Sequence, residues 1–452
     1  MNIKEQEIKI AEKARWLIPG LQIKRWFLLY FVGAMLVFVG FLIIFGFRPV
    51  FYMVKFVHHV ANVVPTSWLA VSMVLFGLGL LCIAWSKTNL SLLSAREDFE
   101  TQDLLESLYR RRKLNNGPKI VAIGGGTGLS MLLKGIKNLT NNITAVVTVG
   151  DDGGSSGRLR NEFGILPPGD IRNCIAALAK DEDLVTKLFQ YRFKNGEGLE
   201  GHSFGNLFLS ALISITGDMV RAVKESSNVL SIRGVVLPST LDDMKLVAEM
   251  EDGRIIHGES NIPEARGRIK RLFTNPEKCR ALPEVIHAIR EADIIILGPG
   301  SLYTSVIPNL LIEEIAHEVA LAKAKKVYVC NIMTQPGETD GYAVSDHIKA
   351  LFNHAGSDKI IDTVIVNDSL PVKPSDKYRQ QGSFPVIVDS ENIEKLGVKI
   401  FTKKLIEDSK EGLIRHSSAR VARAINYWYK SQLKENFSKK LFSRHENLTE
   451  KF

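Results

Sequence analysis

Ile120-Val-Ala-Ile-Gly124-Gly125-Gly126-Thr127-Gly128-Leu129 is the stretch that decides the fold class. Four apolar residues run straight into a glycine turn, and a helix-forming segment follows. An unbroken apolar run of this kind suits a strand buried on both faces, which is the habit of parallel sheets covered by helices. The glycines have a second use. Gly124, Gly125, Gly126 and Gly128 lack the Cβ that would hold a ligand off the backbone, and Thr127 stands at a helix start whose free amides attract anions. The same glycines would also serve close strand–helix packing. Leu129 occupies the place of the last glycine in the dinucleotide fingerprint, so an oxidoreductase with a nicotinamide cofactor is the weakest of the enzyme readings.

The same pattern recurs along the chain. Ile143 to Val149, Ile294 to Leu297, Val327 to Cys330 and Thr363 to Val366 are apolar runs, each followed by a glycine or polar turn and a helical stretch. Together they predict a Rossmann-like α/β fold, a largely parallel sheet with helices on both faces. In such sheets ligands bind outside the carboxyl ends of the strands. Residues 230–275 read differently, with Gly234, Thr240 to Asp243 and the hairpin signal Asp252-Gly253, and predict a β-rich insertion.

Several strand ends carry chemistry. Asp151-Asp152-Gly153-Gly154-Ser155-Ser156-Gly157-Arg158 combines two acids, two serines and an arginine in a glycine-rich cradle. An acid there suits a ribose hydroxyl, and the pair Asp151 and Asp152 equally suits Mg²⁺ bridged to substrate phosphates. Pro167-Pro168-Gly169-Asp170-Ile171-Arg172-Asn173 places Asp170 as a helix cap and Arg172, with Asn173, where a guanidinium can grip a phosphate. In Gly201-His202-Ser203-Phe204-Gly205-Asn206, His202 is a candidate acid or base, or a structural hydrogen bonder, with Asn206 beside it. Gly298-Pro299-Gly300-Ser301-Leu302-Tyr303 repeats the strand, glycine and helix logic, and Thr334 lies in the polar stretch Asn331 to Thr339. No catalytic acid–base pair or nucleophile stands out.

Outward from this core the chain changes character. Its 452 residues are 45% hydrophobic and 24% charged, which excludes disordered and fibrous classes. From Trp26 to Phe47 no residue is charged, and 22 helical residues would reach roughly 33 Å, enough for a bilayer core. A second uncharged run, Ser67 to Trp85, is bordered by Trp68 and Trp85. A two-helix transmembrane hairpin is therefore expected over 26–86, after a cytoplasmic segment 1–25. Lys4, Lys9, Lys13, Arg15, Lys24 and Arg25 precede it, Arg110 to Lys113 follow it, and only Arg48 and Lys55 stand between the runs, so both termini are expected in the cytoplasm. Residues 87–117 predict an amphipathic linker helix stopped by Asn115-Asn116-Gly117-Pro118, 118–430 the globular domain, and 431–452 a basic polar tail that frays from about Lys434. The cations flanking apolar segments account for much of the net charge of +9, and no nucleic-acid partner is expected. Cys82, Cys174, Cys279 and Cys330 have neither the spacing of disulfide pairs nor that of metal ligands, as in a reducing compartment.

Taken in order, the glycine turn, the Asp-Asp-Gly-Gly-Ser-Ser-Gly-Arg loop, Pro-Pro-Gly-Asp-Ile-Arg-Asn, Gly-His-Ser, Gly-Pro-Gly-Ser-Leu-Tyr-Thr-Ser and Met-Thr-Gln-Pro-Gly-Glu-Thr resemble the gluconeogenesis factor family, a branch of the wider family named for 2-phospho-L-lactate transferase. The resemblance covers about residues 119–430 and leaves the hairpin outside it. It implies a Rossmann-like core, a role in cell shape and envelope-precursor supply during gluconeogenic growth, and binding of a UDP-linked sugar such as UDP-N-acetylglucosamine. It also implies a ligand-contacting tyrosine and arginine late in the domain, aligned with Tyr378 and Arg415. Tyrosine can stack on uracil and arginine can pair with a pyrophosphate. A regulatory binding protein, homo-oligomeric and in contact with envelope-synthesis or cell-shape proteins, is thus expected. The alternative is a Mg²⁺-dependent transferase of a phospho-hydroxyacid group from a nucleotide donor.

Overall fold

The computed structural model describes residues 31, 35–36, 48–61, 75, 112–179, 182–368, 376–407 and 414–449. The chain divides into two compact units, Met1–Leu104 and Leu105–Phe452. In the first, the helix Arg48–Ala61 is described. Both expected spans fall almost wholly outside the described residues, and among the described residues no helix is long and apolar enough to cross a membrane. Of the expected linker helix only its end, residues 112–115, is described; it is helical and stops at the Asn116-Gly117 turn.

The second unit is built on twelve strands: β1 Ile120–Gly124, β2 Ile143–Val147, β3 Val235–Pro238, β4 Lys245–Met250, β5 Ile255–His257, β6 Ile269–Asn275, β7 Ile294–Leu297, β8 Lys325–Val329, β9 Thr363–Asn367, β10 Lys399–Lys403, β11 Ile406–Glu407 and β12 Arg415–His416. Seven form one sheet in the order β10-β9-β8-β7-β1-β2-β3, with every pairing parallel. The expected Rossmann-like sheet is present. All five residues of β1 and all four of β7 are buried, as two covered faces require.

The chain begins at the centre. From β1 it steps through β2 to β3, then returns to lay β7 on the other side of β1 and continues outward to β10. Connections leaving β1 and β7 therefore diverge, which puts the topological switch point of the sheet between their carboxyl ends. On one face the helix Gly126–Ile136 packs against Gly169–Leu178 and the C-terminal helix Ser418–Thr449. A Cβ on Gly135 would lie 2.2 Å from the Ser418 carbonyl oxygen, so the crossing needs glycine.

Two expectations are corrected. Val235–Pro238 is a strand of the main sheet, and the insertion is the antiparallel sheet β5-β4-β6 that starts only at Lys245. The Asp252-Gly253 hairpin does join β4 to β5, with Gly253 at φ +86°. Edge strand β10 has no apolar run to announce it, because its exposed ends are lysines. The segment expected to fray from Lys434 continues as helix to Thr449, since no glycine or proline interrupts residues 418–449.

Candidate functional site

The glycines of the first turn divide their work. A Cβ on Gly125 would meet Asp170 Oδ2 at 2.6 Å and Thr148 Cγ2 at 2.7 Å, and one on Gly128 would meet the Pro299 carbonyl oxygen at 2.3 Å. These two positions let protein pack on protein, so the turn after β1 lies directly against the turn after β7. Gly126, at φ +61°, has only Ser305 Oγ at 3.4 Å in front of it. It starts the helix Gly126–Ile136, whose N-cap Gly125 has no side chain to offer, and its own amide is taken by the Asp170 carboxylate. Leu129 is fully buried against Gly124, which explains why a leucine stands where a dinucleotide-binding turn has glycine.

The loop after β2 leads into the helix Gly154–Phe163, again without a side-chain cap. Its two aspartates are not equivalent. Asp152 accepts the amides of Glu259 at 3.0 Å and Ser260 at 2.9 Å, and so ties the insertion to the core. Asp151 accepts the Gly153 amide at 3.0 Å, and its other oxygen lies beside Gly169, where a Cβ would come within 2.9 Å. Asp170 follows Gly169, but it does not cap its helix; no side-chain cap exists there, and its carboxylate instead takes a hydrogen bond from the Gly126 backbone. Burial, with repulsion from Asp151, pushes the Asp170 carboxyl up to about 6.

Ser155, Ser156, Arg172, His202 and Asn206 are all buried behind this loop. Ser155 Oγ is 3.0 Å from His202 Nδ1 and accepts from Asn206 Nδ2 at 3.0 Å. Burial and the nearby Arg158 hold His202 below the usual imidazole value, so it is neutral at pH 7. Arg172 donates to Ser203 Oγ and, at 2.9 Å, to Asn173 Oδ1, while its buried Nε has no partner. Arg158 is exposed and donates to the Glu200 carbonyl at 3.0 Å.

On the β7 side of the switch point, polar groups of neighbouring turns are hydrogen-bonded to one another. Asn331 donates to the Gly300 carbonyl at 2.8 Å and accepts its amide at 3.3 Å, and Gln335 donates to Ser301 Oγ at 2.7 Å. Gly298 and Gly300 take φ values of +67° and +159° in the connecting turn. Tyr303 is buried, its hydroxyl 2.8 Å from that of Tyr342, so its ring packs among Tyr342 and His354. Thr334 is buried too and accepts the Phe384 amide at 3.0 Å. Glu338 accepts the Tyr303 amide at 3.2 Å, and burial pushes its carboxyl up to about 7.

Tyr378 is hydrogen-bonded to the residue that precedes Arg415. Tyr378 packs against Ile332, Met333 and Ile406, and its hydroxyl accepts the Ile414 amide at 3.0 Å. Arg415, itself exposed, opens β12. A cavity of about 410 Å³ lies nearby at the carboxyl ends of β8 to β10, lined by Cys330, Asn331, Asn367 and Thr402 among others.

Three residues escaped the reading of the sequence. Glu259, on the insertion, is half-buried facing Asp151, Asp170 and Asp152, and burial plus those charges push its carboxyl up to about 8. Glu338 was quoted only as part of a motif. Arg160, buried, binds Asp243 through Nε at 2.8 Å and through Nη2, and donates to the Met244 carbonyl at 2.8 Å, fixing the start of the insertion. Nothing in the sequence around them signals these partners, which lie dozens of residues away. Among the described residues no group of three or more His, Cys, Asp and Glu side chains is arranged to hold a metal ion. A Mg²⁺ ion here would rest on Asp151 and on the ligand's own phosphates.

The family described as 2-phospho-L-lactate transferase CofD matches residues 120–406. A gluconeogenesis factor from Bacillus subtilis (strain 168) is 54% identical over 306 residues, covering 68% of this chain and 96% of that protein. A gluconeogenesis-factor relative from Nostoc sp. (strain PCC 7120) is 50% identical over 428 residues, 93% of each chain, and so extends into the first unit as well. A crystal structure of a UPF0052-family protein from Bacillus halodurans superposes with a TM-score of 0.65 at 48% identity, covering 68% of this chain and 98% of that one.

Proposed function

The chain belongs to the family of 2-phospho-L-lactate transferase CofD and, within it, to the gluconeogenesis factors, and from that membership we propose that it binds a nucleotide sugar of the UDP-N-acetylglucosamine type as a regulatory protein. The observation that carries this reading is the contact of the Gly124–Gly128 turn with the Gly298–Ser301 turn at the β1/β7 switch point, beside the uncapped start of the helix Gly154–Phe163. Backbone amides there suit a diphosphate. Ser155, Ser156, His202, Asn206, Arg172 and Asn173 line up behind it, and Tyr378 with Arg415 supplies a ring for uracil and a guanidinium for phosphate. The bound protein reports to envelope-synthesis or cell-shape proteins during gluconeogenic growth. The uncharged runs Trp26 to Phe47 and Ser67 to Trp85 anchor it in the cytoplasmic membrane, with both termini and the globular unit on the cytoplasmic side.

Titration calorimetry of the full chain with UDP-N-acetylglucosamine, UDP and GDP tests the binding: saturable heat with the uridine ligands and no turnover is expected, and no binding of any uridine nucleotide removes the reading. A second reading, transfer of a phospho-hydroxyacid group, draws on the family name and on Asp151, the aspartate not engaged by the insertion's amides. Mg²⁺ would there neutralise the phosphates of the donor and leaving nucleotide. Incubation with donors and Mg²⁺ followed by mass spectrometry decides it, and nucleotide release no faster than in Asp151→Asn excludes it.

A further inference from the structure

The stretch Ser301-Leu302-Tyr303-Thr304-Ser305, which follows β7, carries four hydroxyls, and the fold engages them unequally. Ser301 Oγ accepts from Gln335 at 2.7 Å, the Tyr303 hydroxyl lies 2.8 Å from that of Tyr342, and Thr304 Oγ1 donates to Glu338 at 3.4 Å. Ser305 Oγ has no hydrogen-bond partner among the described residues. Although Ser305 is only 8% exposed, this oxygen is not sealed from solvent, unlike the orphaned Oδ1 of Asn309.

The backbone fixes this hydroxyl in place. Leu302–Val306 is a single turn of π-helix, in which the Ser301 carbonyl takes the amides of both Ser305, at 3.0 Å, and Val306, at 3.1 Å. Such turns interrupt regular helix bonding and recur at functional sites. Asn309, fully buried, secures this one: its Nδ2 donates to the Ser305 carbonyl at 2.9 Å and, across the seam, to the Gly124 carbonyl at 3.2 Å.

Ser305 Oγ faces Gly126. Apart from the chain neighbours of Gly126, it is the one atom among the described residues within 4 Å of where a Cβ on that glycine would stand, so an unfilled space lies before the hydroxyl. Asp170 borders the same corner. Its carboxyl accepts from the Gly126 backbone, and Asp170 Oδ2 and Ser305 Cβ lie 2.6 and 3.5 Å from the point a Cβ on Gly125 would take. The Gly126 amide is thus already engaged, and a phosphate entering here would meet a carboxyl in place of a free N–H. A ligand hydroxyl fits better. It accepts from Ser305 and, with a proton and lone pairs of its own, pairs with the Asp170 carboxyl in either protonation state.

We propose that Ser305 is a ligand-contacting residue which, together with Asp170, binds a hydroxyl of the sugar beyond the diphosphate in the space before Gly126. The inference rests on the nucleotide-sugar reading above. It assigns the pendant sugar, as distinct from the diphosphate, to this corner.

The test is titration calorimetry of the full chain and of Ser305→Ala with UDP-N-acetylglucosamine and with UDP. The substitution removes no hydrogen bond from the unliganded fold, so urea unfolding of the variant should match the parent's. Binding of UDP-N-acetylglucosamine should weaken about tenfold, and binding of UDP, which lacks the pendant sugar, should not change. Monodeoxy analogues of that sugar close the cycle: one of them should bind the parent as weakly as the complete ligand binds Ser305→Ala, and the variant should be indifferent to that deletion. No loss, an equal loss for both ligands, or additive losses with every deoxy analogue overturns the Ser305 contact and leaves nucleotide binding standing. A parent chain that binds UDP and UDP-N-acetylglucosamine with one affinity overturns it as well. A parent that binds neither removes the nucleotide-sugar reading and this contact with it.

Discussion

Asn331, Gln335 and Ser301 on one side of the switch point are joined in a small hydrogen-bonded network with Gly300, whereas Asp151, Asp170 and Glu259 on the other face one another as like charges. The first arrangement is complete by itself and positions the turn after β7. The second holds free energy in reserve, since ionising carboxyls at close quarters and partly out of water is unfavourable until a proton, cation or donor arrives. A diphosphate ligand is anionic, so it gains by entering while Asp170 and Glu259 keep their protons, or with a divalent cation. The difference teaches that the neutral flank sets geometry, and that the acidic flank would set the conditions under which the proposed anionic ligand binds.

The seam between the flanks gives the largest expected effect. Gly128→Ala drives a Cβ to 2.3 Å from a backbone carbonyl that cannot rotate away, and should cost about 3 kcal/mol in urea unfolding. Gly126→Ala meets only the end of a serine side chain and a left-handed φ, and should cost about 1 kcal/mol. Equal losses at the two positions would mean that the turns do not abut.

The acidic flank comes next. Glu259 keeps its proton in the folded protein up to about 8, while the unfolded chain releases it near 4.5. This contribution to stability is fully present below that lower value and is lost as pH rises through about 8. Glu259→Gln should therefore stabilise by on the order of 2 kcal/mol at high pH and by little below pH 5. A variant whose unfolding midpoint tracks the parent's at every pH breaks the contrast. Asp170 loses its contribution over the lower window from 3.8 to about 6, so binding of an anionic ligand, followed by calorimetry, should weaken in two stages as pH rises.

Asp152→Asn should cost about 1.5 kcal/mol by weakening its bonds to the Glu259 and Ser260 amides, and should speed amide exchange at those two residues. Asn331→Ala on the matched flank should cost about 1 kcal/mol and leave the pH profile unchanged. A changed profile would show that the two flanks are coupled.

Much of this was legible beforehand. The strands β1, β2, β7, β8 and β9 contain the apolar runs, and each run is followed by a glycine or polar turn. Strands β3 and β10 were not: four residues ending in proline and a lysine-bounded edge strand present no periodic signal. At the switch point, Asp151 and Asp152 looked interchangeable until the insertion placed its amides on one of them. Asp170 looked like a cap, yet its partner is Gly126, forty-four positions earlier.

The sequence by itself determined the sheet, the order of its glycine turns and the family, because burial on two faces and freedom from Cβ are properties that each residue carries locally. Tertiary structure alone decided which polar groups are spent and which remain. Arg160, Asp152, Arg172 and Tyr303 are engaged by partners distant in the chain, while Asp151 and Glu259 are brought together as mutually repelling groups. Hydrogen bonding and charge repulsion act over a few ångströms of space, and only the fold sets those separations.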